Sequence, residues 1–350
     1  MSADTPPSRD TSPAPPPPSP AAALSQLLRG SLVTQLIHVV AVLGVADLLR
    51  AGPKSSHEVA TAVSVDPQAL YRVLRALASL GIFAETEPGS FALTPLAEPL
   101  RSDVHNSLRG SAVLYGERWW WDACGELLHS VRTGQPAFDY VHGAALFAYL
   151  DRTGDAAAVF NEHQTNMTRQ DAAAVVAAYD FAECSKVIDV GGGQGALTAA
   201  ILRACPATTA VLLDRPAVVA GAQEMLRAQG VADRCTTVGG DFFESVPEGG
   251  DAYLLKDIVH DWDDMRAKAV LRNCRTAMSG ASRLLVVEKV IPAGNGPFAG
   301  KLTDITMLLV AGGRERTAEE YRALLADTGF AVTRIVPTRT PASVIEAVPV

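Results

Sequence analysis

The residues with the clearest chemical potential lie in two short segments. In the first, Val187-Ile188-Asp189-Val190-Gly191-Gly192-Gly193-Gln194-Gly195-Ala196-Leu197-Thr198, an apolar strand runs through a glycine cluster into a helix. Gly191, Gly193 and Gly195 lack the Cβ atoms that would hold a ligand away from the backbone and the helix N-terminus, so this turn can receive a nucleotide-like cofactor. The spacing Gly191-x-Gly193-x-x-Ala196 also satisfies the fingerprint of a nicotinamide dinucleotide site, and Asp214 follows about 20 residues on, where a ribose-binding acid belongs in either case. A second acid, Asp241 in Gly239-Gly240-Asp241-Phe242-Phe243, ends the third strand. It offers an acceptor to an adenine amino group, with Phe242 able to lie against the ring. A turn or helix cap is the alternative for Asp241. In the second segment, Leu254-Leu255-Lys256-Asp257-Ile258-Val259-His260-Asp261-Trp262, a histidine falls just past the fourth strand. That is the carboxyl edge at which open α/β sheets bind ligands.

The elements that must position these groups follow from pattern. From Lys186 onward, short apolar runs (Val187 to Val190, Ala210 to Leu213, Thr236 to Val238, Ala252 to Leu255, Leu284 to Val287) alternate with helical stretches, which predicts an α/β sheet. Ala331 to Val336 and Ser343 to Val348 follow one another without a helix between them and pair as an antiparallel hairpin. Upstream, Ser56 caps a helix over His57 to Val63, Asp66-Pro67 opens a second that ends at Gly81, and Phe83 to Leu93 reads as two strands around Pro88-Gly89. This is a winged-helix pattern. Its second helix carries only Arg72 and Arg75 among leucines, too little basic charge for nucleic-acid readout, so a dimerisation scaffold is the better reading. The stretch from Ala21 to Arg50 is apolar nearly all round and must be covered by other elements or another subunit. Residues 1–20, dominated by Pro, Ser and Ala, read as a disordered tail. The expected domains are 21–105 for dimerisation, 106–180 for a helical linker and substrate-pocket region, and 181–350 for cofactor binding.

Composition narrows the function class. With 48% hydrophobic and 19% charged residues, the 350-residue chain can bury a large core. The net charge of −8, with no basic block, argues against a general nucleic-acid binder. Five scattered cysteines with no CxxC pair favour neither disulfides nor zinc and suit a reduced, cytoplasmic setting. No secretory signal is read at the start, and Leu32 to Leu49, interrupted by Gln35, His38 and Asp47, reads as a buried helix and not a membrane span.

Taken together, these segments resemble the S-adenosylmethionine (SAM) dependent O-methyltransferases of the plant caffeate and flavonoid type, including bacterial antibiotic-pathway enzymes, over about Ala21 to Val350. The resemblance implies a Rossmann-like C-terminal domain with a seven-stranded sheet and terminal hairpin, a helical winged-helix dimerisation domain, and a homodimer. It implies that Gly191 contacts the methionine part of SAM, that Gly193 is also cofactor-binding, that Asp214 binds the ribose, that Asp241 and Phe242 hold the adenine, and that Lys256 stands near the cofactor. Phe160, Gln164 and Met167 fall in a helix closing over cofactor and acceptor, with Gln164 replacing a methionine common in plant relatives. Asp304 and Met307 lie on a helix that lines the acceptor pocket in the family.

Methyl transfer to oxygen needs a nucleophile in line with an activated methyl group, and deprotonation is the protein's task. A phenol near 10 can yield its proton to a histidine near 6.5 as transfer proceeds. His260, in the family's His-Asp-Trp motif, is the expected general base. Glu288, at the end of the fifth strand, and Glu315, in Gly312-Gly313-Arg314-Glu315-Arg316-Thr317, match family positions and are expected to hold its working tautomer, Glu315 more closely. For Glu315 the alternative is an ion pair with Arg314 or Arg316 on a solvated loop. Asp261 reads as the cap of the helix through Met265 and Val270. No metal is expected, because these positions form no ligand cluster in the sequence. The expected activity is methylation of a phenolic or enolic hydroxyl on a small aromatic secondary metabolite, leaving S-adenosylhomocysteine. The competing readings are a SAM-binding relative that decarboxylates or hydroxylates such a metabolite, a ligand-responsive DNA-binding protein, and a nicotinamide oxidoreductase.

Overall fold

The computed structural model describes residues 19–350. Residues 1–18 of the expected tail lie outside the described residues; its last two, Ser19 and Pro20, already belong to a helix start, with Ser19 Oγ accepting from the Ala22 amide. The over-hydrophobic stretch that follows is three helices, Pro20–Leu28, Gly30–Val42 and Val45–Leu49, the last two separated by Gly44 in the left-handed region. No helix among the described residues is long and apolar enough to cross a membrane.

A small sheet follows, built from β1 (Lys54–Ser55), β2 (Phe83–Glu87) and β3 (Ser90–Leu93) in the order β1-β3-β2, all antiparallel. Helices Ser56–Val63 and Pro67–Ser79 complete the winged-helix arrangement, Leu70, Leu74 and Leu77 forming the buried stripe of the second. Asp66 caps that second helix as expected. The first is capped by Ser55 and not by Ser56: Ser55 Oγ accepts from the Glu58 amide at 3.1 Å while Glu58 returns a carboxylate to the Ser55 amide at 2.8 Å. Only the residue three before Glu58 can close this reciprocal box.

Seven strands form the main sheet: β4 (Lys186–Val190), β5 (Thr209–Asp214), β6 (Cys235–Gly239), β7 (Ala252–Lys256), β8 (Arg283–Lys289), β9 (Phe330–Pro337) and β10 (Ala342–Pro349). Their order is β6-β5-β4-β7-β8-β10-β9. The first five run parallel, and β10 is antiparallel to both neighbours. The terminal segments thus form the expected hairpin, with β10 also extending the sheet from β8. Strand β7 is buried along its whole length, as a central strand covered on both faces must be.

The chain moves outward from β4 to β5 and β6, then returns to β7 on its other side. The order therefore reverses between β4 and β7, and a crevice opens at their carboxyl ends. The glycine turn leaves β4 and the histidine segment leaves β7, so topology alone brings both to this crevice. The 25-residue helix Gly154–Ala178 crosses above it, anchored by Ala172 and Val175 against Leu197 and Ile201.

Replacing Ser55 by Ala should cost about 1 kcal/mol of stability by denaturant titration, whereas Ser56→Ala should change it far less. Equal effects would contradict the cap assignment.

Candidate active site

A cavity of about 780 Å³ occupies the crevice. Its floor is the glycine turn. Gly191, Gly193 and Gly195 all have positive φ (72°, 60° and 82°), which side-chain-bearing residues rarely adopt. The Gly191 amide donates to the Leu213 carbonyl at 2.8 Å and the Gly193 amide to Asp214 Oδ2 at 2.8 Å, which ties the turn to the end of β5. A Cβ on Gly191 would stand 2.4 Å from Ile258 Cδ1, whereas one on Gly193 would meet nothing within 4 Å. Thus Gly191 is needed for close packing of the two segments, and Gly193 faces open space.

Of the residues read from the sequence as binding groups, Gly191, Gly193, Asp214, Asp241, Phe242, Lys256, Phe160 and Gln164 border this one cavity. Asp214 Oδ1 accepts from the Arg215 amide at 2.7 Å, so each carboxylate oxygen has one partner and retains acceptor capacity. Burial raises its pKa, against those two amide bonds. Asp241 does cap its turn, accepting from the Phe243 amide at 2.8 Å, and still borders the cavity. Phe243 packs edge-on against Trp262 at 4.9 Å between centroids, and Phe242 lies 6.2 Å from the same indole, giving one side an aromatic wall. Met167, Asp304 and Met307 do not border the cavity. Met167 Sδ lies 3.7 Å from Ser111 Oγ, Met307 is buried, and Asp304 Oδ1 accepts from the Glu315 amide at 2.9 Å.

His260 is buried one layer behind the wall formed by Asp257, Ile258, Asp261 and Trp262. It lies on a single 3-10 turn, Val259–Asp261. Glu288 Oε1 accepts from three successive amides, Ile258 at 3.1 Å, Val259 at 2.9 Å and His260 at 3.2 Å. Nδ1 of the ring is 2.9 Å from Glu315 Oε1 and 3.3 Å from Glu288 Oε2. Glu315 is therefore the closer partner, and it is buried, not paired with arginine on a solvated loop. With Nδ1 committed, Nε2 is directed toward Asp261, 3.6 Å from its Oδ1.

Asp261 departs from its expected role. The helix Asp264–Ala277 is capped by Asp263, which accepts from the Arg266 amide at 2.8 Å. Trp262 is extended (φ −122°, ψ 148°) and separates the His260 turn from that helix, which leaves Asp261 in the cavity wall. The premise that the acids and histidine form no cluster is corrected as well: one ligand atom from each of Asp257, His260 and Glu288 lies within 4.8 Å of the others. Asp257 there already pairs with Lys256 and, at 3.2 Å, with Lys289, so two ammonium groups supply the positive charge a cation would bring.

Nothing in the sequence marks Asp257, the one aspartate with positive φ (52°) among the described residues, or Asp171, whose carboxylate holds Lys256 at 3.3 Å. Asp189 is fully buried and hydrogen-bonded to Thr198, and burial pushes it up to about 6. An acid inside an otherwise apolar strand was the available signal for Asp189.

The electrostatics are set by these enclosed charges. Burial alone would lower the His260 pKa, but Glu288, Glu315 and Asp261 overcome it and raise the ring to about 10. Burial raises Glu288, with His260 opposing. Burial also pushes Asp261 up to about 6 against the attraction of His260. Asp257 is the exception: burial would raise it, yet Lys256 and Lys289 hold it well below the usual carboxylate range.

The imidazole should accordingly titrate well above 6.5 in the free protein, as read by NMR of histidine-labelled material, and Glu315→Gln should lower the midpoint. Because the folded value is raised, ring protonation stabilises the fold in full below about pH 6.5, and this contribution is lost as pH climbs through about 10. A midpoint at or below 6.5 would overturn the assignment.

Residues 25–103 match the model of an O-methyltransferase dimerisation domain and residues 124–331 that of an O-methyltransferase domain. A phenazine O-methyltransferase of Lysobacter antibioticus is 47% identical over 93% of this chain and 96% of its own length. The crystal structure of LaPhzM superposes with a TM-score of 0.91 at 46% identity, covering 94% of this chain and 99% of that one. An O-methyltransferase from neocarzinostatin biosynthesis, solved with SAM and 2-hydroxy-5-methyl naphthoic acid, has a TM-score of 0.78 at 32% identity, covering 91% and 96%.

Proposed function

This chain belongs to the O-methyltransferase family, and we propose that it transfers a methyl group from SAM to a hydroxyl of a small aromatic secondary metabolite, with His260 accepting the hydroxyl proton. The observation that carries the reading is a glycine-floored, acid-lined cavity with a buried histidine, fixed through Nδ1, directly behind its Asp261 wall. Six aspartates border the cavity (Asp151, Asp189, Asp214, Asp241, Asp257 and Asp261) against the cations Arg215 and Lys256. Such a balance suits a ligand bearing a sulfonium and an ammonium group, and the glycine turn with its aromatic wall suits an adenosine. The donor set therefore fits SAM, which when bound supplies a methyl group activated by positively charged sulfur.

The protein's own residues then have separable tasks. Gly191 and Gly193 admit the ligand to the backbone, Asp214 offers oxygens to ribose hydroxyls, and Asp241 offers one to the adenine amine beside Phe242. Lys256, neutralised by Asp171 and Asp257, keeps those acids fixed without adding net repulsion toward a cationic ligand. Phe160 and Gln164, on the long crossing helix, border the same cavity and close it from above.

Proton removal requires a neutral ring. Glu315 and Glu288 favour the imidazolium, so the proton of the hydroxyl gains a stable resting place on Nε2 once the ring is free to take it. A positive charge entering the cavity opposes the imidazolium and shifts the ring back toward the neutral form. The same pair of carboxylates fixes the tautomer, since Nδ1 must carry the hydrogen when it faces two acids.

The phenazine and naphthoate relatives direct the acceptor search toward fused-ring hydroxy acids and hydroxyphenazines. Pocket discrimination between such rings amounts to only about 1–3 kcal/mol per methylene, so a panel is the proper assay. Mass spectrometry with labelled SAM should find one methyl added to oxygen in at least one of them. His260→Gln should retain SAM binding and lose most turnover, by about a hundredfold or more. Asp214→Ala should weaken calorimetric SAM affinity while the protein stays folded. Full turnover by His260→Gln at neutral pH would remove the general-base role, and unaltered SAM affinity in Asp214→Ala would remove the ribose assignment.

The dimerisation-domain match and the exposed Leu24, Leu27, Leu28 and Leu32 on the first two helices support a homodimer, because a soluble monomer would not leave this row uncovered. Light scattering should give twice the chain mass, and Leu27→Glu with Leu28→Glu should shift it toward monomer. A monomeric wild-type protein would refute this.

A further inference from the structure

We propose that Arg316 is a positioning residue whose guanidinium sets the orientation of the His260 ring by clamping the backbone of the turn that carries it. Arg316 is the largest side chain among the fully buried described residues, at 0% exposure. Its Nη1 donates to the Val259 carbonyl at 3.0 Å and its Nη2 to the Trp262 carbonyl at 3.0 Å, the residues on either side of His260-Asp261. Asp264 Oδ1 receives Nη2 at 2.8 Å and Nε at 3.3 Å and so fixes the plane of the fork from outside. A further bond runs from Nη1 to the Arg314 carbonyl at 3.2 Å, within its own segment.

These contacts complement those of Glu288. The carboxylate takes the three amides at the start of the turn, and the guanidinium takes carbonyls along it, so both polarities of a non-repeating backbone are satisfied by one buried ion of each sign. Only a planar fork can reach two carbonyls and a carboxylate together; an ammonium is a point donor on a flexible stem. The segment bearing Arg316 is itself closely packed. Gly313 lies so close to the turn that a Cβ there would stand 2.0 Å from the His260 carbonyl oxygen. Arg316 is also tied to the segment leaving β8, bridging Val290 in parallel register with its carbonyl accepting from the Ile291 amide at 2.9 Å. Glu315, between these anchors, meets Nδ1 of the ring. Arg316 thus couples the acid that holds the ring to the backbone that carries the ring, and it touches no cavity-bound group itself.

The consequence for activity rests on His260 being the proton acceptor, so the test includes a readout that does not. Full-length wild type, Arg316→Lys and Asp264→Asn are compared by histidine-selective NMR, with His260→Gln assigning the signal, by calorimetric SAM titration, and by turnover of an acceptor found in the panel. We expect Arg316→Lys to bind SAM within about twofold of wild type, to lose the hydrogen-bonded Nδ1–H resonance and shift the His260 titration, and to lower kcat about tenfold to a hundredfold. Asp264→Asn should change the same quantities in the same direction by less. A merely structural arginine would lower the melting temperature and leave the His260 signals of the folded protein and kcat unchanged; that result overturns the proposal. If Arg316→Lys does not fold, unchanged His260 signals and kcat in Asp264→Asn overturn it equally. Should wild type methylate no acceptor, the functional reading fails, while the NMR comparison still decides whether Arg316 orients the ring.

Discussion

A buried carboxylate with no exposure, Glu288, facing a buried imidazole is the constraint around which the rest of this molecule is arranged. An isolated carboxylate in that position would be too costly to keep ionised, and an isolated imidazolium equally so. Each is tolerated because the other is present and because backbone amides complete the coordination of the acid. The arrangement converts an electrostatic liability into geometry: Oε2 of the acid faces the ring while Oε1 gathers three amides into a turn, and that turn presents the histidine. Glu315, Lys289 and Asp257 extend the network, so removal of any one charge leaves another unpaired in the interior. The histidine turn is accordingly held by opposing buried charges more than by apolar packing.

The position of this network follows from sheet topology. Reversal of strand order between β4 and β7 opens a crevice at their carboxyl ends whatever the side chains are, and the two segments that leave those strands must meet there. Their contact is close, as the packing of Gly191 on Ile258 requires. The cofactor turn and the histidine turn are therefore one mechanical unit.

Much of this was legible in the sequence, for identifiable reasons. Strand positions were readable because each parallel strand is a short, nearly continuous apolar run, and the hairpin because two such runs lack a helix between them. His260, Glu288 and Glu315 could be grouped because strand ends and a family motif marked them. Less accessible were the features that depend on exact turn geometry. Ser55 and Ser56 are adjacent and chemically identical, so only the reciprocal bond with Glu58 decides which is the cap. Asp261 and Asp263 are both acids before the same helix, and the extended Trp262 decides between them. Asp304, expected to face an acceptor, instead accepts from the Glu315 amide in the segment after its helix, a contact that sequence spacing does not encode.

Asp261 and Lys256 illustrate how the neighbouring charges divide the labour. Lys256 is enclosed by two acids and is raised in pKa against the burial that would lower it, so its ammonium is a permanent structural charge. Asp261 has no lysine of its own, is pushed upward by burial and by neighbouring acids, and borders the space in which a ligand would sit. Burial raises both Glu288 and Asp261 beside the histidine, but of these two only Asp261 borders the cavity and so meets what enters it, while Asp257, held down by two lysines, stays fixed. Fixed charges position the ring, and a responsive one lies between the ring and the cavity. That division lets the site be rigid in geometry and still adjust its protonation when a cationic ligand arrives.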